Sequence, residues 1–242
     1  MIELARAAAR FVLPSICLAC RRRPVDELFR GGVCRTCWDS LPDPDAERCE
    51  CCDEALPGAL ALTRCGRCLL DPPDFDRLCA AVPYRGSARQ ILLAFKFQGA
   101  DYLGPRIAAE MTHRIPPPPC AEVAAVPATR RARRARGYHP AEVLAAAVGR
   151  RLGVPFVGER LTKVRDTEVQ SRVAAGHRAA NVRRAFRVEG RPAKEILLVD
   201  DVATSGATAR ECAGRLRQAG ARAITVWCFA RASRADSWPD MP

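Results

Sequence analysis

The sequence predicts an α/β domain built on a mainly parallel sheet flanked by helices and preceded by a cysteine-rich module. Three observations carry that expectation. Four Cys-x-x-Cys pairs crowd the first third of the chain. From Asp76 onward, apolar runs of strand length alternate with segments of helical period, the pattern of a parallel sheet with crossover helices. One run, Ile196–Val199, is apolar without interruption, as a strand covered on both faces must be.

Taken in order, the start of the chain reads as a short amphipathic helix, with Ile2, Leu4, Ala8, Phe11 and Val12 on or near one face. Glu3, Arg6 and Arg10 interrupt it, so it is not expected to be a secretory leader. Residues 15–70 lack apolar periodicity and need a staple to hold together. Leu78–Tyr84 is expected to be a strand, and Ser87 to cap a helix through Ile91, Leu92 and Phe95 that ends at Gly99. A helix from Tyr102 to His113 should stop at the Pro116–Pro119 run. Glu122–Val126 reads as a short strand, followed by an arginine-rich loop and a helix over Pro140–Leu152. Residues 165–185 read as a long loop of the kind that carries function inside a compact domain. Past Ile196–Val199, residues Ala209, Cys212, Ala213 and Leu216 follow helical spacing, Gly220 ends that helix, and Ala223–Phe229 is the last strand. The expected division is a module over 1–75, the α/β domain over 76–231 and a tail over 232–242.

Composition narrows the function. The chain has 242 residues, 48% of them hydrophobic, 27% charged and 6% aromatic, which is a globular profile. No stretch approaches the roughly 20 apolar residues of a membrane span. The net charge of +12 favours an anionic partner. Of the 39 basic residues only Lys96, Lys163 and Lys194 are lysine, and the abundant alanine suggests a compositional bias behind the arginines. Where arginines cluster is therefore more informative than how many there are.

The thirteen cysteines, with no leader expected, point to metal in a cytoplasmic protein rather than to disulfides. The pairs are Cys17/Cys20, Cys34/Cys37, Cys49/Cys52 and Cys65/Cys68. Each Cys-x-x-Cys turn aims two thiolates at one point, and two turns complete a tetrahedron around Zn²⁺. The near-equal gaps within 17–37 and 49–68 suit two consecutive ribbons, although interleaved pairing also satisfies the spacing. Four thiolates leave no open position, so two structural zinc ions are expected rather than a catalytic one. Cys79, Cys120, Cys212 and Cys228 read as small core residues; Cys51, lying among the ligands, is able to exchange with Cys52.

The most informative stretch is Glu195-Ile-Leu-Leu-Val-Asp200-Asp201-Val-Ala-Thr204-Ser205-Gly206-Ala207-Thr208. An apolar strand delivers two carboxylates, and a loop of small and hydroxyl residues then opens a helix. Backbone N–H groups at the helix start, with the hydroxyls of Thr204, Ser205 and Thr208, suit a phosphate. Gly206 and Ala207 keep the approach open, and the carboxylates stand one sugar-length upstream. A plain strand–turn–helix is the bland alternative. A phospho-acceptor receiver domain is disfavoured, because 41 residues follow Asp201 where about 100 are needed.

The string resembles the signature loop of type I phosphoribosyltransferases, which bind 5-phosphoribosyl 1-diphosphate (PRPP). The likeness widens with Phe95-Lys96-Phe97-Gln98-Gly99, Val126-Pro127, Arg136-Gly137-Tyr138, Thr167-x-x-Gln170 and Asn181-x-x-x-x-Phe186. Together with the cysteine pairs these resemble, in order, the ComF family, competence-associated proteins with a type I phosphoribosyltransferase-like domain and a zinc ribbon. The family's Arg-Gly-Phe-Asn-Gln reads Arg-Gly-Tyr-His-Pro at Arg136–Pro140, where His139 and Pro140 replace two amides.

The resemblance implies roles. Asp200 and Asp201 would hold the ribose hydroxyls and favour the positive charge that develops at C1, and Thr204, Ser205, Gly206, Ala207 and Thr208 would take the 5′-phosphate. Mg²⁺ would ride on the diphosphate, with Arg130, Arg131, Arg133, Arg134 and Arg136 as cationic support. Gln170, with Arg165, Arg172 and Arg178, would lie on a closing loop. Lys96 is read equally as a snorkelling surface residue or a substrate contact, and the arginines equally as solvated surface. The enzyme reading is phosphoribosyl transfer to an unnamed acceptor. The alternative is single-stranded DNA binding during uptake, beside other uptake proteins, with Trp38, Phe29 and Phe75 as sparse stacking candidates.

Overall fold

In the computed structural model the described residues are 16–25, 32–44, 47–56, 62–128, 130–164 and 185–232, the side chains of 130–132 excepted. Two five-residue helices, α1 (Arg35–Asp39) and α2 (Gly66–Leu70), belong to the cysteine module. The α/β domain follows: β1 (Arg77–Pro83), α3 (Gly86–Phe97), a 3₁₀ turn (Asp101–Leu103), α4 (Gly104–Arg114), β2 (Glu122–Ala125), α5 (Arg130–Arg136) and α6 (Pro140–Leu152). It continues with β3 (Leu161–Lys163), β4 (Phe186–Val188), β5 (Glu195–Ala203), α7 (Ala207–Gln218) and β6 (Ala223–Arg231).

The main sheet runs β1-β6-β5-β2 with every pairing parallel, as the continuous apolar run at Ile196–Val199 implies. A parallel bridge from Val123 to Phe156 extends its β2 edge. The pleat sorts the core into two. Leu197, Val199, Trp227, Phe229 and Val123 pack with α3, α4, α6 and the Cys17–Cys37 segment. Ile196, Leu198, Val226, Cys228 and Ala124 pack with α7 and the Cys49–Cys68 segment. The sheet is therefore covered on both faces, and the two halves of the cysteine module join opposite cores.

Each of the four longer helices buries one stripe at i, i+3, i+4, i+7, the geometry of a helix lying on a sheet. In α3 the stripe is Ala88, Ile91, Leu92 and Phe95; in α4 it is Gly104, Ile107, Ala108 and Met111. In α6 it is Ala141, Leu144, Ala145 and Val148, and in α7 it is Ala209, Cys212, Ala213 and Leu216. Gly220 lies just past α7 at φ +109, as expected of a helix-terminating glycine.

Four expectations need correction. The arginine-rich segment after Pro127 is helix α5 rather than loop, since arginine and alanine are both strong helix formers. Ser87 does not cap α3: Arg85 stands at that position without a side-chain cap, and Ser87 Oγ donates to the Ser40 carbonyl at 2.9 Å. The expected Tyr102–His113 helix is a 3₁₀ turn and then α4, because Pro105 fits only the first turn of a fresh helix. The antiparallel β3–β4 pair was not anticipated; three-residue strands are too short to show alternation. The N-terminal helix (residues 2–12), Phe29, nearly all of the 165–185 loop and all of the tail but Ala232 lie outside the described residues.

Candidate functional site

The strand β5 passes through both carboxylates and ends only at Ala203, so successive side chains leave on opposite faces of the sheet. Asp201 turns toward α3, where its Oδ1 meets Lys96 Nζ at 2.9 Å. Lys96 is only 9% exposed, so it is not a snorkelling surface residue. Asp200 lies toward α7, where, after burial, its charge is the largest influence raising the Cys212 and Cys228 thiols. Its own carboxyl is pushed up to about 8 by burial and by Asp201, with Lys96 pulling the other way. Asp200 Oδ1 also accepts from the Asp201 N–H at 2.8 Å. The pair therefore holds one carboxylate paired with Lys96 and one whose burial and neighbouring carboxylate favour its protonated form.

Thr204, Ser205 and Gly206 connect β5 to α7. Gly206 adopts φ +71, which a side-chain-bearing residue rarely accepts, and a Cβ there would meet nothing within 4 Å. The glycine is required by backbone conformation, while the space above it is open. Gly206 is also the N-cap of α7 and provides no side-chain acceptor for the helix start. Ser205 Oγ accepts from the Ala207 N–H at 3.3 Å, and Thr204, Ser205 and Thr208 are exposed. An uncapped helix N-terminus behind small, exposed hydroxyl residues suits an anion.

The loop is anchored from beneath. Arg231, 4% exposed at the end of β6, donates to the Thr204 carbonyl and pairs with Glu54 at 2.5 Å. Arg67, inside the last cysteine pair, donates to the Ser205 carbonyl at 2.7 Å. Sequence reading missed Glu54, Arg67 and Arg231. No spacing links partners 138 and 177 residues apart, so only the fold reveals them.

Beside the carboxylates, Tyr138 carries a buried hydroxyl with no hydrogen-bond partner among the described residues. Burial, then Asp101, push it up to about 12, with Asp201 adding to the effect. Tyr84 is buried near the same pair and raised by burial, with Lys96 opposing and Asp201 adding. His139 replaces an amide but does an amide's work: its Nδ1 accepts from the Glu142 N–H at 3.3 Å and caps α6, with Pro140 in the first turn. Burial lowers its pKa to about 4, so it is neutral and able to accept.

Arg133 reaches Glu142 at 3.2 Å, and Arg136 lies 4.9 Å over the ring of Phe97, itself 47% exposed. Arg134 is exposed. Arg130 and Arg131 lie on α5, their side chains outside the described set. Gln170, Arg165, Arg172 and Arg178 also lie outside the described residues. Trp38, a stacking candidate, is 3% exposed beneath Arg106, and Phe75 is buried in the second core, so neither presents a free face.

The cysteines gather in two sets, Cys17, Cys20, Cys34 and Cys37, and Cys49, Cys52, Cys65 and Cys68. Pairing is consecutive, and Cys51 stays outside the second set. In each set the sulfurs lie within 4.8 Å of one another, with Cys17–Cys37 and Cys20–Cys34 at 3.9 Å and Cys52–Cys65 at 3.6 Å. Four sulfurs about 2.3 Å from a tetrahedral centre stand about 3.8 Å apart, so both sets are compatible with a zinc ion. Backbone N–H groups of Cys34 and Cys65 point at Cys17 and Cys49 Sγ, at 3.2 and 3.3 Å, as around metal-bound thiolates. No helix among the described residues is long and apolar enough to cross a membrane.

No family model matches the chain. It is 29% identical over 231 residues to the DNA utilization protein YhgH of Escherichia coli, covering 90% of this chain and 98% of that one. It is 27% identical over 229 residues to Competence protein F of Haemophilus influenzae, covering 89% and 96%. Among solved structures, a glutamine PRPP amidotransferase from B. subtilis aligns with 58% of this chain and 31% of its own, at 19% identity and a TM-score of 0.37. At that score the structural likeness carries no weight, whereas the sequence relatives run nearly end to end with the chain.

Proposed function

We propose that this chain, similar nearly end to end to YhgH and to Competence protein F, is a ComF-family protein that binds PRPP with Mg²⁺ at Asp200–Thr208 and transfers its phosphoribosyl group to an acceptor. The observation that carries the reading is the sequence of parts along one chain end: a carboxylate pair, a Gly206 loop at φ +71 and an uncapped helix start. In this reading the 5′-phosphate rests on residues 204–208. Asp201, held by Lys96 on the α3 face, and Asp200, on the α7 face with its carboxyl raised by burial, reach the ribose hydroxyls from the two sides of the strand end. As the C1–oxygen bond to diphosphate breaks and the leaving group takes the electron pair, the nearby carboxylate charge favours the cationic sugar. Mg²⁺, when bound, supplies charge neutralisation on the diphosphate. Arg134 and Arg136, and Arg130, Arg131 and Arg133 on the same helix, supply it from the protein side; Gln170 and Arg172 are further candidates. The orphan Tyr138 hydroxyl is a donor awaiting a ligand oxygen. Zinc in both cysteine sets is structural, and the protein works in the cytoplasm.

Calorimetry with PRPP and Mg²⁺ tests this. Wild type should bind, and Asp200→Asn/Asp201→Asn should bind at least tenfold more weakly. No heat from wild type, or equal affinity in the double variant, removes the reading.

A second reading has one observation in its favour: α5 carries five arginines in seven residues and no acidic side chain, and Arg136 stacks on exposed Phe97 beside it. With relatives named for DNA utilization and competence, that surface suits single-stranded DNA. Oligonucleotide binding should then weaken steeply with salt and fall when Arg134 and Phe97 are replaced by alanine.

A further inference from the structure

The second cysteine set is built into the phosphate loop, and the first is not. Three arginines make the connection. Arg67, between Cys65 and Cys68, holds the Ser205 carbonyl at 2.7 Å. Arg231 holds the Thr204 carbonyl and is itself held by Glu54, two residues after Cys52, at 2.5 Å. Arg210, in the first turns of α7, grips the side chain and carbonyl of Asp71, three residues after Cys68, at 2.8 and 2.7 Å. The start and end of the loop and the helix behind it are thus tied to the turns that carry four thiolates.

The hydrogen bonds go to carbonyls, and that is the consequential detail. In a trans peptide the C=O of one residue and the N–H of the next point in opposite directions. Fixing the Thr204 and Ser205 carbonyls toward guanidinium groups turns the N–H groups of Ser205 and Gly206 the other way. Neighbouring N–H groups left without a backbone partner in this way, beside a residue in the left-handed region, are the elements of an anion-binding concavity. The same hydrogen bonds withdraw two carbonyl dipoles that would otherwise repel a phosphate. Arg67 itself depends on its turn. Its helix α2 has five residues, its N-cap is Cys65, and it has no side-chain cap, so the cysteine set is the principal order in that segment.

We propose that the Cys49, Cys52, Cys65 and Cys68 set, with zinc bound, is the positioning device of the phosphate loop, so that zinc retention there and 5′-phosphate binding at 204–208 are coupled. Arg67 is the positioning residue that transmits most of the coupling to the loop. The inference rests on the phosphate reading of that loop and adds what controls it. Among the described residues the first cysteine set has no such path: its segment's polar ties join Ser40 to Ser87 and Asp43 to Arg114, on the other face of the sheet, and Thr36 to Arg23 within the module.

The test uses ribose 5-phosphate as probe and the intact two-zinc protein. Wild type should bind it. Arg67→Ala should bind about tenfold more weakly, in the range typical of coupling between sites, with unchanged zinc content, melting curve and affinity for magnesium diphosphate. Arg67→Lys should recover part of the loss. Reciprocity supplies a second readout. In equilibrium competition with a colorimetric zinc chelator, ribose 5-phosphate should make one of the two zinc equivalents harder to remove, and the shift should vanish in Arg67→Ala. Equal ribose 5-phosphate affinity in wild type and Arg67→Ala, or protection of both zinc equivalents alike, overturns the coupling while leaving the loop assignment intact. Failure of wild type to bind either ribose 5-phosphate or PRPP overturns the loop assignment, and the coupling with it.

Discussion

The two cysteine sets share a ligand count and nearly a spacing, yet they are fastened to the protein by different physics. The Cys17–Cys37 set is embedded in apolar packing: Cys17, Val33, Trp38 and Leu41 share a core with Ile91, Phe95 and Ile107. The Cys49–Cys68 set also meets a core, through Leu56, Phe75 and Leu78. Both segments also carry charged ties: that of the first runs from Asp43 to Arg114 on α4 at 2.7 Å, whereas those of the second end on the loop after β5 and on α7, with Arg210–Asp71 at 2.8 Å and Arg217–Asp76 at 2.6 Å. Apolar burial gives stability without direction, whereas guanidinium–carbonyl bonds specify where a particular atom points. The difference teaches that equivalent metal modules need not do equivalent work. One completes a core; the other shapes a loop.

Replacing a cysteine should produce the largest effect, because structural zinc contributes on the order of 10 kcal/mol to the folding of small modules. Cys34→Ser and Cys65→Ser should each leave one zinc by metal analysis. Cys34→Ser should lower the melting temperature and shift tryptophan emission to the red as Trp38 becomes exposed. Cys65→Ser should spare that emission and abolish ribose 5-phosphate binding. Loss of the same property in both variants would break the contrast.

Single contacts come next. Trp38→Ala should cost about 3–5 kcal/mol, as for other buried aromatics, with no dependence on salt. Glu54→Ala should cost about 3 kcal/mol, because Arg231 then keeps a buried charge without its partner. Urea titration at low and high salt checks this: both costs should change little with salt, because the Glu54–Arg231 pair is sheltered, whereas the cost of breaking the exposed Arg210–Asp71 pair should shrink as salt screens it.

Protonation gives a smaller, directional signature. Asp200 is raised from 3.8 to about 8 by burial and Asp201, so the folded state holds an extra proton between those values. Its contribution is full below the lower value and is lost as pH rises toward about 8. Asp200→Asn should therefore flatten the decline of melting temperature between about pH 4 and pH 8. His139 is lowered from 6.5 to about 4, so its contribution is full above 6.5 and is lost as pH falls toward 4. The smallest effect expected is from His139→Asn, which keeps the α6 cap and removes that acid-side loss. His139→Ala should cost about 1 kcal/mol at neutral pH.

Much of this architecture was legible in the sequence. The helical stripes at 88–95, 104–111, 141–148 and 209–216 follow one spacing, and the period of a helix on a sheet leaves little alternative. The α5 helix was misread because seven residues with five arginines have no apolar stripe to reveal their period. Of the candidate site, the carboxylates, the loop glycine and the metal-type cysteines were visible as local strings. Lys96 could be read as a surface residue or a contact until α3 was seen to bring its ammonium to Asp201.

By itself, then, the sequence determined what is local: four thiolate turns, an apolar strand carrying two carboxylates, a glycine in the loop that follows, and helices whose stripes repeat every turn. Tertiary structure decided what joins distant segments: consecutive rather than interleaved cysteine sets, carboxylates divided between two faces, and an arginine in one module holding a carbonyl 138 residues away. The physical reason is one of range. Dihedral preferences and side-chain period act over a few residues and leave a pattern in the string. A hydrogen bond across the fold needs only two complementary groups, and its partner is identified when the chain closes around it.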